Sequence, residues 1–219
     1  MLTENNRQNC KIVVLGANGG IGNQAVLQAL NAGYKVTAIL RSPEKLQLNH
    51  PSLTIMKGDV MLPGTLDEAL RNTDVVISAI GSNSLKATSL YSQGNKNLIE
   101  SMRKVGVNRA FFISASGLEV NPTHSFVVRL ATKYLLQVIL RNMYADLWRM
   151  EKILKGSSIN WTIIRPPRLL DGAGTGKYRV AINGCLDNGL KISRADVAHY
   201  IINNINEAST VGKTIEVAY

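Results

Sequence analysis

Gly16, Gly19, Gly20 and Gly22 stand close together in the string Gly16-Ala17-Asn18-Gly19-Gly20-Ile21-Gly22. It directly follows a β-branched apolar run, Lys11 to Leu15, and opens an amphipathic one. Glycines in that context can wrap a diphosphate. Gly16 permits the tight turn, Gly19 lets the backbone approach the phosphates, and Gly22 lets helix pack close to strand. The helix N-terminus then offers unpaired N–H groups and the positive end of its dipole to the anion. A glycine turn without a ligand is the bland alternative, and the strand–turn–helix setting argues against it.

The second chemical signal lies about twenty residues further on. An acid at the end of the second strand would bind a ribose 2′-hydroxyl, whereas an arginine accepts a 2′-phosphate. Here the strand ends Leu40-Arg41-Ser42, with no acid at that point. Arg41 can grip a phosphate as a bidentate fork, helped by Ser42 and Lys45. NADP(H) is therefore the expected cofactor, with NAD(H) less favoured. A solvated loop charge is the alternative reading of Arg41.

Further strings bear on the same reading: RSPEKL (41–46), GDV (58–60), SAIG (78–81), ISASG (113–117), YADLWRMEKIL (144–154), WTIIRPPRL (161–169) and SRADVA (193–198). With GANGGIG (16–22), they make nearly the whole chain resemble the atypical, NAD(P)H-binding branch of the short-chain dehydrogenase/reductase superfamily. The flavin reductase/biliverdin reductase B group and the NADH-flavin reductases look most similar, and NmrA-like regulators share the first half. The resemblance implies that Asp59 and Val60 lie near the adenine. It also implies that Ala79, Ile80 and Gly81 follow the ribose and diphosphate, and that Pro166 borders the nicotinamide. Asp59 reads equally as part of a turn, and Pro166-Pro167 equally as a rigid strand exit.

The same resemblance exposes an absence. Alcohol-oxidising members use a tyrosine with a lysine four residues later, which lowers the tyrosine pKa for proton transfer. Tyr144 is followed at 148 by Trp, Tyr134 at 138 by Val, and Tyr91 at 95 by Asn. Ser116 matches the family serine, although a serine that merely ends a strand would look the same. Tyr144 reads either as pocket lining or as packing on an amphipathic helix. His50, His124 and His199 are isolated, and no Cys/His pair has metal-ligand spacing. The expected activity is therefore hydride transfer from NADPH to a flavin or similar planar electron acceptor, which needs positioning more than a strong acid. A non-catalytic redox sensor of NmrA type is the alternative, followed by a sugar-nucleotide or isoflavone-like reductase or epimerase.

These residues need a scaffold, and the pattern supplies one. Helical spacing runs over Ile21–Ala32 and ends at Gly33, and Val36–Leu40 predicts the second strand. Ser42-Pro43 predicts an N-cap and first helical turn. Strands follow at Leu53–Met56, Asp74–Ile80, Arg109–Ser114, Trp161–Ile164 and Thr214–Ala218, with helices at Thr65–Arg71, Leu90–Val105 and Ala195–Ile205. That alternation predicts a doubly wound α/β domain with a mostly parallel sheet, a Rossmann fold, spanning 1–219. Residues 118–158 carry a long helical pattern broken near Asn142. Residues 167–192 are turn-rich, with one strand-like run at Tyr178–Ile182. Both are expected to form a small C-terminal lobe on the substrate side.

Composition narrows the partners. The 219 residues are 45% hydrophobic and 18% charged, enough for a substantial core. Two cysteines cannot make a disulfide framework, which fits a reducing cytoplasm. The first ten residues have no apolar run of the kind a secretion signal needs. Residues 126–140, the most apolar stretch, are interrupted by Arg129 and Lys133, too charged and short for a bilayer span, so no membrane partner is expected. Of the formal charge of +10, residues 121–180 hold ten basic and three acidic side chains. An anionic or planar small molecule suits that excess, as does ordinary solvated surface. With 5% aromatics and no basic–aromatic platform, nucleic acid is not expected.

Overall fold

Strand β1, Lys11–Leu15, lies in the interior of the sheet, and beyond the exposed Lys11 its side chains are apolar on both sides. Ile12 and Val14 point into one hydrophobic cluster, Val13 and Leu15 into the other. This two-residue alternation with no polar face is what a strand covered by helices on both sides requires. Phe111 and Phe112 of β5 repeat it, one in each cluster. Full burial of each stabilises the fold by about 2–3 kcal/mol.

A computed structural model describes residues 10–82 and 84–219. The stretch expected to lack a secretion signal lies, apart from Cys10, outside the described residues. After β1 come α1 (Gly20–Asn31), β2 (Lys35–Leu40), β3 (Leu53–Lys57), α2 (Asp67–Leu70) and β4 (Val75–Ser78). The chain continues through α3 (Leu90–Val105), β5 (Arg109–Ile113), α4 (Phe126–Ala131), a π-helical turn (Thr132–Leu136) and α5 (Gln137–Ile139). Then follow α6 (Arg141–Lys155), β6 (Asn160–Arg165), β7 (Arg168–Leu170), β8 (Arg179–Ile182), β9 (Lys191–Ser193), α7 (Arg194–Asn203) and β10 (Lys213–Ala218).

The sheet order is β3-β2-β1-β4-β5-β6-β10-β8, parallel except for β8, which runs antiparallel to β10. α1 and α7 pack together on one face, α3 and α6 on the other. Strands β2 and β3 are added on one side of β1 and β4 to β6 on the other, so the strand order reverses between β1 and β4. The loops leaving those strands therefore part and open a crevice at their carboxyl ends. The doubly wound expectation holds.

Several boundaries differ for local reasons. The helix expected over Thr65–Arg71 shortens to Asp67–Leu70, because the Thr65 hydroxyl donates to the carbonyls of Asp59 and Leu62 and keeps that segment in a turn. Ser42 precedes a 3₁₀ turn but its side chain caps nothing. The break expected near Asn142 in the long helical segment falls two residues earlier, at Leu140, whose ψ swings to 14°. The turn-rich segment contains the expected strand as β8, and also β7 and β9, which pair in parallel. Strands of three residues are too short to show a period.

Candidate active site

The loop after β1 closes on itself: the Gly19 amide donates to the Gly16 carbonyl at 2.8 Å. Gly16 takes φ +77°, and a Cβ there would lie 2.3 Å from the Ala79 carbonyl oxygen. Only glycine satisfies both demands. Gly22 is needed for a related reason, since its Cβ would meet the Gly16 carbonyl at 2.2 Å. The third glycine therefore accommodates the loop itself at the helix entrance. No side chain caps α1 and no acid lies in its first turn, so nothing competes with an anion for its N-terminal amides. The loop fits a diphosphate.

From this loop a cleft of about 1160 Å³ runs across the carboxyl ends of the strands. That exceeds the roughly 300–1,000 Å³ of single small-molecule sites, leaving room for a dinucleotide and a second molecule. Of the expected residues, Gly16, Asn18, Gly19, Gly20 and Ile21 line its first part, as do Arg41, Ser42, Asp59 and Val60. Ala79, Ile80 and Gly81 line the middle, and Ser116, Tyr144 and Pro166 belong to the same lining. Ala17 and Gly22 do not line it. Ala17 is fully buried in the core, and its place in the motif is packing.

Each strand exit explains one group. At the β2 exit Arg41 is exposed, with Ser42 and Lys45 beside it on the lining. At the β3 exit Asp59 accepts from the Met61 amide at 2.9 Å, so the turn reading is right while the residue still lines the cleft. The Val60 carbonyl accepts from Asn97 at 2.7 Å, which ties this exit to α3.

The β5 and β6 exits build the far end. Ser114 donates to Glu151 at 2.7 Å, and Arg165 grips the same carboxylate through Nε at 2.9 Å and Nη2 at 2.6 Å. Burial alone would raise the Glu151 carboxyl, but the Arg165 fork and the Ser114 hydroxyl outweigh it and hold it below the usual range. The Ser116 amide donates to the Pro166 carbonyl at 3.0 Å, locking the two exits together. The Ser116 hydroxyl has no protein partner among the described residues. Tyr144 reaches in from α6, and a Cβ on Gly117 would lie 2.4 Å from its hydroxyl oxygen. Burial pushes that phenol up to about 12, and no cation opposes the shift.

Two charged lining residues, Arg194 and Glu216, are among those that the sequence did not single out. Arg194, first residue of α7, lies against the glycine loop, where a Cβ on Gly20 would be 2.1 Å from its Cδ. Its Nη1 meets Asp171 at 2.7 Å. Glu216, an acid in the otherwise apolar end of β10, also lines the cleft, and burial pushes its carboxyl up to about 7. The lone acid in TIEVA was a visible signal; nothing local marked Arg194. His124, isolated in the sequence, lines the cleft beside Asn121.

A family model described as NAD(P)H-binding matches residues 16–208. The chain belongs to that NAD(P)H-binding family. An uncharacterized chloroplastic protein of Arabidopsis thaliana is 30% identical over 98% of this chain and 78% of its own length. A short-chain dehydrogenase/reductase from Veillonella parvula superposes with a TM-score of 0.80 at 18% identity, covering 95% of this chain and 94% of its own. Another from the same organism, solved in complex with NADP, gives 0.76 at 19% identity, covering 96% and 94%. The family and the cleft agree: NAD(P)H is the cofactor, and the chain falls among NAD(P)H-dependent oxidoreductases.

Proposed function

We propose that the protein is an NADPH-dependent reductase that passes hydride to a flavin or similar planar, electron-accepting molecule, in a cytoplasmic setting. The observation that carries this reading is Tyr144. Its phenol lies against Gly117 with its pKa pushed up to about 12, and position 148 is Trp148 rather than a lysine. Tyrosine-assisted reduction of an isolated carbonyl is therefore disfavoured. A planar acceptor that spreads the incoming charge does not need that acid.

The nicotinamide supplies the hydride; the protein supplies grip and alignment. The amides at the start of α1 and the Arg194 guanidinium hold the diphosphate, while Arg41, Ser42 and Lys45 hold the 2′-phosphate. Pro166 and Ser116 border the nicotinamide, and segments 118–158 and 167–192 enclose the acceptor. Glu216, near 7, is the lining carboxyl best matched to exchange a proton at neutral pH.

The test pairs binding with turnover. Titration should give NADPH a clear advantage over NADH, and Arg41→Ala should weaken NADPH about tenfold or more while leaving NADH unchanged, as expected for one charge-assisted contact. Absorbance at 340 nm should fall with FMN, riboflavin, biliverdin or quinones. Tight NADPH binding with no consumption across that panel would favour the sensor reading instead.

A further inference from the structure

Between Phe126 and Ile139 the chain forms a helical segment that touches the body along one narrow row and leaves the rest of its surface bare. The inner row is Val128, Thr132 and Leu136, four residues apart, which line the cleft. Gln137 anchors the segment by donating to the carbonyls of Gly117 and Leu118 at 3.1 Å each. The π-helical turn makes this possible, because its extra residue brings Gln137 round to the inner side.

That outer face is apolar. Phe126 is 71% exposed and Val127 74%, and Leu130, Tyr134, Leu135 and Val138 are exposed with them. Such a concentration on one face marks an interaction surface rather than scattered exposure. Its charges are one-sided: residues 120–145 contain Arg129, Lys133 and Arg141 and no acid. Arg129 and Lys133, four apart, stand between the inner row and the apolar face, and the Lys133 ammonium lies 5.3 Å from the Tyr134 ring centroid. A second copy of this chain docking face to face would bring cations against cations with no acid in the segment to relieve them. An anionic, apolar-cored surface matches both features.

We propose that the Phe126–Ile139 segment lies flat on an anionic lipid bilayer. The outer apolar side chains enter the acyl boundary, and Arg129, Lys133 and Arg141 meet the headgroup phosphates. No helix among the described residues is long and apolar enough to cross a membrane, and lying on one is a separate demand. The proposal thus departs from the sequence expectation of no membrane partner, which rested on spanning alone.

Flotation of the full chain with vesicles tests it. The protein should float with phosphatidylcholine–phosphatidylglycerol vesicles, far less with phosphatidylcholine alone, and progressively less as salt is added. Arg129→Gln with Lys133→Gln should weaken partition about thirtyfold, from about 1 kcal/mol per cation at the surface. Val127→Glu with Leu135→Glu should abolish flotation. Both double variants should keep the wild-type melting temperature and NADPH affinity, because none of these side chains lines the cleft. No flotation, or flotation indifferent to phosphatidylglycerol, would overturn the proposal. So would a concentration-dependent dimer, seen by sedimentation, that Val127→Glu dissolves.

Discussion

Arg194 and Tyr144 show how much a single side chain's meaning depends on what stands beside it. Arg194 rests over the diphosphate loop, away from Arg41 at the β2 exit. Arg194→Ala should therefore weaken NADPH and NADH alike, by about tenfold or more, in calorimetric titrations. A loss confined to NADPH would contradict that placement. Tyr144 shares the cleft lining with Ser116, yet its phenol has no partner that would make it an acid. Tyr144→Phe should leave kcat with a flavin within about threefold. A fall of the roughly 10²–10⁴-fold typical of a lost general acid would restore tyrosine-driven chemistry.

Among the elements, α7 does more than cover the sheet. Its Asp196 is fully buried and accepts from the Tyr219 hydroxyl at 2.6 Å, the Thr175 amide at 2.9 Å and the Gly176 amide at 2.8 Å. It thereby ties the loop after β7 to the helix that carries Arg194. Burial opposes the charge, but these donors prevail and bring the carboxyl down to about 2. Because the folded value lies below the unfolded one, the stabilisation is present above about pH 4 and is lost as pH falls through 2. Asp196→Asn should lower stability by about 3 kcal/mol, or roughly 6–12 °C in melting temperature, and blunt the acid transition in thermal melts at stepped pH. Of these elements, α1 and α3 were legible in sequence because twelve and sixteen residues carry an apolar face. β7, β9 and the antiparallel direction of β8 were not, because a strand's partner is a tertiary choice.

For the molecule as a whole, a cleft shared by six strand exits couples ligand and stability. NADPH at a hundredfold excess over Kd should stabilise the protein by about 2.7 kcal/mol, raising the melting temperature by roughly 5–10 °C. No shift with any pyridine nucleotide would remove the basis of the functional reading. The glycine loop, the arginine at the β2 exit and the alternation of strand and helix were all present in the order of residues, because turn, anion grip and amphipathic period are local properties. Tertiary structure alone decided that Arg194 enters the cleft and that Ala17 leaves it for the core. It also decided that the apolar segment after residue 125 faces outward. Each of those outcomes depends on which surfaces remain once distant elements have packed, and short-range patterns carry no record of that.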